Sequence, residues 1–250
     1  MHCPSLYGQY QLKDSVAINS NTISHFQSNR LGDVLFVSDD RNLVKISSDR
    51  KTVMHPLKKI VTKIDHTLSL RTAIIYNHQE LEILDDQFNP IQDKINLNTY
   101  QIFPSAITLS DSQLLWYFDP IDLRLVQWNY QLKTTISKSN MLFFKEGDTA
   151  ITDLYAIKNR VYLKGQSWIY EYDLFGNFKS EIPIKNHHKH QFSGDFLYLL
   201  DDENLTKINL LTRDISSTDN FFNGKDFTMS DDQLFVIKNK GLYIYTRIKK

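Results

Sequence analysis

The sequence predicts an all-β fold, a six-bladed β-propeller built from four-stranded antiparallel blades. Two observations lead to this prediction: a unit of about 40 residues recurs six times, and the two ends of the chain carry complementary parts of one unit. Composition agrees, because only five alanines stand beside 13 Tyr and 15 Phe among 250 residues. Aromatic and β-branched residues favour pleated strands, whereas alanine favours helices.

Each repeat contains a hairpin, in which two apolar-rich stretches flank a short polar turn. The paired stretches are 33–37 with 42–46, 73–76 with 81–84, 113–118 with 123–128, 160–163 with 168–172, 195–200 with 205–208, and 233–237 with 241–245. Equivalent anchors recur about every 40 residues, at Val34, Ile74, Leu114, Val161, Phe196 and Leu234. This regularity indicates six copies of one supersecondary unit.

A third strand and a looser fourth one complete each repeat. After the hairpin, a turn such as residues 173–177 leads into another alternating segment; its Asp, Gly and Asn accept left-handed or locally bonded backbone. A further apolar segment precedes the hairpin, as at 60–64, 106–109, 151–155 and 227–229. Four strands per repeat predict one propeller blade per repeat.

The ends of the chain fit together as parts of the last blade. The sixth repeat stops at Lys250 after its second strand, and residues 11–18 have no hairpin partner nearby. We therefore expect residues 11–18 to form the outer strand of that blade, which closes the ring and covers exposed strand edges. A β-sandwich or two small barrels also have short strands at similar spacing, but neither explains a repeat with complementary ends. Residues 10–250 are expected to form a single domain.

Residues 1–9 are expected to lie outside the propeller. They end in a small residue followed by Gln9, as the last residues of a bacterial signal peptide do, but the basic and apolar regions of such a peptide are missing. A disordered tail is the alternative. The first interpretation places the protein in the bacterial periplasm or cell envelope, and the second places it in the cytoplasm.

The blade sequences resemble those of NHL and TolB-like six-bladed propellers. Residues 31–46 carry a Gly-Asp turn, an apolar strand that ends in an acidic turn, and a basic residue before a closing Ile; residues 194–208 repeat this pattern. The Trp-Asp dipeptide of WD repeats and the double glycine of kelch repeats are both missing. The resemblance implies a scaffold that presents loops to a partner, although a shared fold does not fix an activity.

Charge and motif content exclude several classes of function. With 29 basic and 29 acidic side chains, the chain lacks the basic excess that binding to nucleic acid requires. The single cysteine, Cys3, allows neither an internal disulfide nor a thiolate zinc site. No apolar run reaches the roughly 18 residues of a membrane-spanning helix. Phosphate loops, nucleophile elbows and metalloprotease motifs are missing as well, so no cofactor is expected.

Two groups of residues contain side chains that bind metals. Acidic pairs such as Asp39-Asp40 and Asp85-Asp86 fall at different turns of their blades, which favours solvated turns over one shared site. The only histidine cluster is residues 187–190, where His188 and His190 could share one ligand because alternate residues of an extended segment face the same side. A polar connection between blades is the favoured interpretation, which leaves these two histidines as weak candidates.

Aromatic residues are concentrated in the third and fourth blades. Because only half of an alternating strand is expected to face the neighbouring blade, some should lie on the surface, where aromatic residues favour protein partners. The predicted partner-binding residues are Trp116, Tyr117, Trp128, Tyr130 and Trp168.

The resulting hypothesis is a non-enzymatic scaffold that binds a protein partner, as a subunit of a bacterial cell-envelope or secretion assembly. The alternative is a propeller hydrolase or lyase that acts on a sugar or lactone at the central channel through carboxylates and histidines. Neither the partner nor the oligomeric state follows from the sequence.

Overall fold

A computed structural model describes residues 10–18, 22–29, 31–39, 41–66, 70–110, 113–146, 148, 150–157, 159–184, 189–201, 204–219, 226–230 and 233–248. The chain forms six four-stranded antiparallel sheets arranged as a six-bladed β-propeller, as predicted. Within the described ranges, a single 3₁₀ turn at Leu97–Tyr100 departs from the all-β pattern. The predicted tail of residues 1–9 lies outside the described residues.

The packing divides the chain into two compact units, one of Met1–Lys58 with Asn186–Lys250 and one of Lys59–Lys185. The first unit holds blades one, five and six. Their strands are β1 (Tyr10–Ala17), β2 (Ile23–Ser28), β3 (Val34–Ser38), β4 (Asn42–Ile46), β5 (Thr52–Pro56), β18 (Lys189–Ser193), β19 (Phe196–Leu200), β20 (Asn204–Asn209), β21 (Ile215–Asp219), β22 (Asp226–Met229), β23 (Gln233–Lys238) and β24 (Gly241–Arg247).

The second unit holds blades two, three and four. Its strands are β6 (Val61–Asp65), β7 (Arg71–Tyr76), β8 (Glu80–Asp85), β9 (Ile95–Asn96), β10 (Ala106–Leu109), β11 (Leu114–Asp119), β12 (Arg124–Asn129), β13 (Thr134–Lys138), β14 (Asp153–Ile157), β15 (Arg160–Lys164), β16 (Trp168–Asp173) and β17 (Phe178–Pro183). That residues 10–250 form one domain stays a prediction.

The N-terminal strand completes the last blade, which confirms the closure expected from the sequence. The sheet has the order β1-β24-β23-β22, and β1 pairs with β24 from Tyr10↔Arg247 to Ala17↔Gly241. The pairing continues one residue further, because the Ile18 N–H donates to the Lys240 carbonyl at 2.8 Å. The long β24 edge is therefore covered by another strand of the same chain, which removes a template for aggregation.

The hydrophobic core lies between the faces of neighbouring blades. In the second unit, one cluster joins blades two and three and another joins blades three and four. In the first unit, corresponding clusters join blade six to blade one and blade five to blade six. The middle strands of blades three and six therefore bury residues on both of their faces.

The turn between the third and fourth strands of blade four has the geometry that its sequence predicts. The Asp173 carboxylate accepts hydrogen bonds from the backbone N–H groups of Phe175 and Asn177, both at 2.9 Å. Gly176 has a φ of 84°, in the left-handed region, and a Cβ there would overlap Ser139. Glycine is thus required both by the turn and by the loop packed against it.

Candidate functional site: an apolar cleft on the third and fourth blades

Four of the five aromatic residues predicted to contact a partner lie in the core. Trp116, Tyr117, Trp128 and Tyr130 are between 0 and 5% exposed, and only Trp168 is half-buried. Strand alternation predicts that only one face of each strand contacts a neighbouring blade. Strand β11 shows why this fails: Trp116 packs towards blade four and Tyr117 towards blade two, so both faces are covered. The four buried side chains offer no surface to a partner.

Other apolar residues of the same two blades are exposed around a cleft, which we call the blade 3–4 cleft. Its cavity volume is about 540 Å³, and its lining residues are Asn140, Met141, Leu142, Phe143, Phe144, Lys145, Tyr170, Tyr172, Gly176, Asn177, Phe178 and Glu181. Met141, Phe143 and Phe178 are 46, 76 and 53% exposed. A volume of this size falls in the range of ligand-binding clefts, and exposed apolar residues that cluster often mark interaction sites.

The loop that forms one side of the cleft connects β13 to β14 and is anchored by a buried carboxylate. Asp148 is 3% exposed and accepts hydrogen bonds from the Gln166 N–H at 2.5 Å, the Ser167 N–H at 3.0 Å and the Tyr170 hydroxyl at 2.8 Å. A Cβ at Gly165 would overlap this carboxylate, so the close approach requires glycine. Hydrogen bonds within the protein therefore hold this side of the cleft in place, and the cleft is preformed.

Aromatic rings form the floor of the cleft. The Phe144 ring lies 5.0 Å from the Tyr170 ring in an edge-to-face arrangement, and the Tyr172 ring lies 5.8 Å from the Phe178 ring. The Tyr172 hydroxyl donates to the Phe143 carbonyl at 2.9 Å. Burial raises the pKa of both tyrosines, and the hydrogen bond to Asp148 raises that of Tyr170 further. Both phenols stay protonated at neutral pH and act as structural donors.

The charged groups of the cleft neutralise each other. Lys145 and Glu181, the only charged residues of the lining, form an ion pair. The Lys145 ammonium also lies 3.3 Å from the centre of the Trp168 ring, which provides a cation–π contact. Trp168, the one predicted aromatic residue that is partly accessible, therefore contacts the Lys145 ammonium.

The spacing of the repeats indicates the β13–β14 loop, which the number of aromatic residues per blade does not. The longest interval between repeat anchors runs from Leu114 to Val161, and the extra chain includes the apolar run Met141 to Phe144. A long connection that carries exposed apolar residues is a better indication of a binding surface than aromatic residues within strands, because loops lie at the surface.

Of the two histidines named as weak metal-ligand candidates, only one lies within the described residues. His190 lies half-buried on β18, and His188 lies outside the described residues. Among the residues that the structure describes, no group of three His, Cys, Asp or Glu side chains could hold a metal ion. Of the acidic pairs named above, Asp40 also falls outside the described ranges, whereas Asp85 and Asp86 lie within them.

A polar cluster spans the first strands of blades two, three and four. Asp65 on β6 is 4% exposed and accepts hydrogen bonds from the Thr108 hydroxyl at 2.7 Å and the Leu109 N–H at 2.5 Å. Lys63, on the same strand, forms an ion pair with Asp153, and Asp153 accepts a hydrogen bond from the Tyr155 hydroxyl at 2.8 Å. Burial lowers the pKa of Lys63 to about 8, against the opposing effect of Asp65. Both carboxylates are thus held by partners within this unit.

Comparison with solved structures identifies the fold. Virginiamycin B lyase from Staphylococcus aureus, in its selenomethionine form, superposes with a TM-score of 0.61 at 10% identity, over 96% of this chain and 100% of that one. The chain is a six-bladed β-propeller. A streptogramin B lyase gives 0.59 at 11% identity, over 99% of this chain and 90% of that one. BamB from Moraxella catarrhalis gives 0.51 at 8% identity, over 95% of this chain and 97% of that one.

The resemblance to bacterial propellers is therefore confirmed for the fold, and identities this low show the fold alone. No protein-family profile matches the sequence, and no curated protein matches it either. In the described part of the chain, no helix is both long and apolar enough to span a bilayer.

Proposed function

We propose that this propeller is a non-enzymatic interaction module that binds an apolar segment of a partner protein in the blade 3–4 cleft. The observation that carries the proposal is the joint exposure of Met141, Phe143 and Phe178 around one preformed cleft. Burying a large apolar side chain fully contributes about 1.5–3 kcal/mol, so two phenylalanines could supply much of the affinity of a transient complex.

The charge of the cleft selects the kind of partner. Lys145 and Glu181 already form an ion pair. A charged group of a partner that enters the cleft would therefore find no unpaired opposite charge and would lose its own hydration. An uncharged apolar segment loses no such hydration and gains contact with the aromatic floor. We therefore expect the partner segment to present aliphatic or aromatic side chains and no charge at its centre, with polar residues at its rim.

The alternative, a hydrolase or lyase that uses carboxylates of the first strands, has less support. Asp65 and Asp153 do lie on first strands of the same unit, but each is bonded to partners of the protein itself. The structural neighbours include two lyases and BamB, so the fold does not select between the two functions. The exposed apolar cleft favours the interaction module.

The proposal is tested by photo-crosslinking in native cells with benzoylphenylalanine in place of Phe143. Position Ile215, which is 65% exposed on β21 of the other unit, serves as the control. We expect one partner to crosslink at position 143 and not at position 215, through an apolar segment that can be mapped and synthesised as a peptide. That peptide should bind the purified protein, and Phe178→Ser should weaken binding at least about tenfold, equivalent to about 1.4 kcal/mol.

Two results would reject the interaction module: no specific crosslink at position 143, or a peptide affinity that Phe178→Ser leaves unchanged. The exchange Leu132→Ser is the matched control, because Leu132 is 68% exposed on the β12–β13 turn and does not line the cleft. Equal loss of affinity in both variants would show non-specific adhesion and would also reject the proposal.

A further inference from the structure

The first unit carries a cationic surface where blades five and six meet, and we call it the Lys207 surface. It consists of Lys207 on β20, Arg247 on β24 and the half-buried rings of Tyr10, Phe196 and Tyr245. All five residues belong to the first unit, whereas the blade 3–4 cleft belongs to the second. The two surfaces are therefore separate.

Strand pairing directs Lys207 towards blade six. Lys207 lies opposite Tyr198 on β19, and cross-strand partners point to the same face of a sheet. Tyr198 belongs to the core cluster that joins blades five and six. Arg247 is the exposed last residue of β24 in blade six. The two cations thus come from neighbouring blades.

The contacts of these two cations leave hydrogen-bond donors available. The Lys207 ammonium lies 3.7 Å from the centre of the Phe196 ring and 5.7 Å from that of Tyr198. Rings attract a cation through their π electrons, whereas the three N–H groups of an ammonium also seek oxygen acceptors. Within the part of the chain that the structure describes, neither Lys207 nor Arg247 forms an ion pair or a side-chain hydrogen bond. Both can therefore donate to an anion from outside.

Lysines elsewhere in the described chain combine a ring with a carboxylate. Examples are Lys63 with Asp153, Lys94 with Glu82, Lys145 with Glu181, and Lys189 with Asp226. Lys207 has the rings without the carboxylate, although a partly buried charge is unfavourable unless it is paired. A partner protein can supply the missing group.

The electrostatic surroundings of Lys207 favour an anion. Burial lowers the pKa of Lys207, and the positive charge of Arg247 lowers it further. Both influences disfavour the ammonium form, and a nearby carboxylate would act in the opposite direction. An anion placed between the two cations therefore gains attraction from both and relieves their mutual repulsion.

The carboxylates on the strands of blades five and six do not neutralise these cations. Asp226 on β22 forms an ion pair with Lys189, and Asp14 on β1 forms one with Arg50. Among the described strands of these blades, the remaining acidic residue is Asp219 on β21, whose backbone pairs with the first residue of β20. The positive charge of the Lys207 surface is thus left for a ligand.

We propose that the Lys207 surface binds an acidic segment of a partner protein, in which carboxylates flank an aromatic residue. The carboxylates accept charge-assisted hydrogen bonds from Lys207 and Arg247. The aromatic residue packs against the half-buried rings, and arginine and aromatic side chains are the residues that carry most binding energy at interfaces. This segment differs in charge from the one proposed for the blade 3–4 cleft, so either proposal can fail without the other.

The probe for this proposal is the blocked peptide acetyl-Asp-Glu-Phe-Asp-Glu-amide, titrated into ¹⁵N-labelled protein at low salt. We expect saturable shifts of the amide signals of residues 10, 196, 207, 245 and 247, with a dissociation constant on the order of 1 mM. The uncharged peptide acetyl-Asn-Gln-Phe-Asn-Gln-amide should bind at least about tenfold more weakly. Equal binding of the two peptides, or equally tight binding of inorganic phosphate at the same ionic strength, would overturn the proposal.

Two substitutions locate the binding site. Lys207→Met keeps the apolar stem and Arg247→Gln alters an exposed side chain, so both variants should fold, and each should weaken binding of the acidic peptide about 3- to 10-fold. Lys238→Gln is the matched control, because it removes one positive charge from an exposed residue beside the β23–β24 turn, at the opposite end of blade six from Arg247. Equal losses in all three variants, or no loss in the first two, would reject the surface.

A second measurement reports on Lys207 itself. The acidic peptide should raise the pKa of Lys207, because a neighbouring carboxylate favours the ammonium form. The uncharged peptide should leave this pKa unchanged. NMR titration of the lysine side chains with and without each peptide measures the effect. An unchanged Lys207 pKa at saturating acidic peptide would contradict the proposed contact.

Discussion

Two lysines, one in each unit, form similar ion pairs in different surroundings. Lys63 on β6 pairs with Asp153 on β14, and Lys189 on β18 pairs with Asp226 on β22. Their side chains are 22 and 23% exposed, which is nearly equal. Burial lowers both pKa values, yet to about 8 for Lys63 and about 7 for Lys189.

The difference lies in the residues around each pair. Lys63 has Asp65 as an additional negative neighbour, which partly restores its pKa. Lys189 instead lies 5.2 Å from the centre of the Phe26 ring and 5.8 Å from that of Phe227. Rings attract a cation, but more weakly than a carboxylate does, and they exclude water. Asp65 raises and Lys164 lowers the pKa of Lys63, whereas burial alone lowers that of Lys189, so the pKa of a buried lysine depends on its surroundings as well as on its ion pair.

The largest effect is expected from removing Asp65. Asp65→Ala should lower the free energy of unfolding by about 3 kcal/mol, because the Thr108 hydroxyl and the Leu109 N–H lose their acceptor. It should also lower the pKa of Lys63 towards that of Lys189. Urea unfolding and NMR titration of the lysine side chains measure the two effects. Thr108→Val is the control, since it removes a donor and keeps the charge; an unchanged Lys63 pKa in Asp65→Ala would contradict our explanation.

A smaller effect is expected in the pH dependence of stability. Unfolded lysine keeps its proton to about pH 10.4, whereas Lys189 in the folded protein loses its proton near pH 7. Between these values the unfolded state binds more protons, so stability rises with pH by at most about 1.4 kcal/mol per unit for this group. Below pH 7 both states are protonated and the contribution is constant.

The onset of this rise should distinguish the two lysines. Lys189→Met should remove the rise in the free energy of unfolding that begins near pH 7. Lys63→Met should remove the rise that begins near pH 8. Urea unfolding from pH 6 to pH 10 of the wild type and both variants measures it. Identical pH profiles for the two variants would show that their surroundings do not differ in effect.

The smallest effect is expected from the ring next to Lys189. Phe26→Leu removes the closer aromatic face, so the pKa of Lys189 should fall by a few tenths of a unit, as expected for a weak cation–π contact. Phe36→Leu is the matched control, because Phe36 belongs to the same core cluster and loses similar packing. A pKa change of equal size in both variants would assign the effect to packing rather than to the ring.

Most of the fold could be predicted from the sequence, because strand alternation and turn residues act locally. The hairpins and the turn at Asp173 follow from patterns that a short stretch of chain carries by itself, and the place of residues 11–18 follows from comparing the two ends of the chain with the repeat. The repeat then fixes how many blades are made. Neither the local patterns nor the repeat shows what covers each face of a strand. Trp116 and Tyr117 illustrate this, because blade four covers one and blade two covers the other.

The sequence by itself determined a propeller of six blades and the closure of the last blade by the N-terminal strand. Tertiary structure alone decided which apolar residues are exposed, and it brought Phe143 and Phe178 around one cleft. The same packing placed Asp65 beside Lys63 and aromatic rings beside Lys189. The physical reason is that strand and turn preferences depend on neighbours in sequence, whereas exposure, hydrogen bonding and pKa depend on neighbours in space.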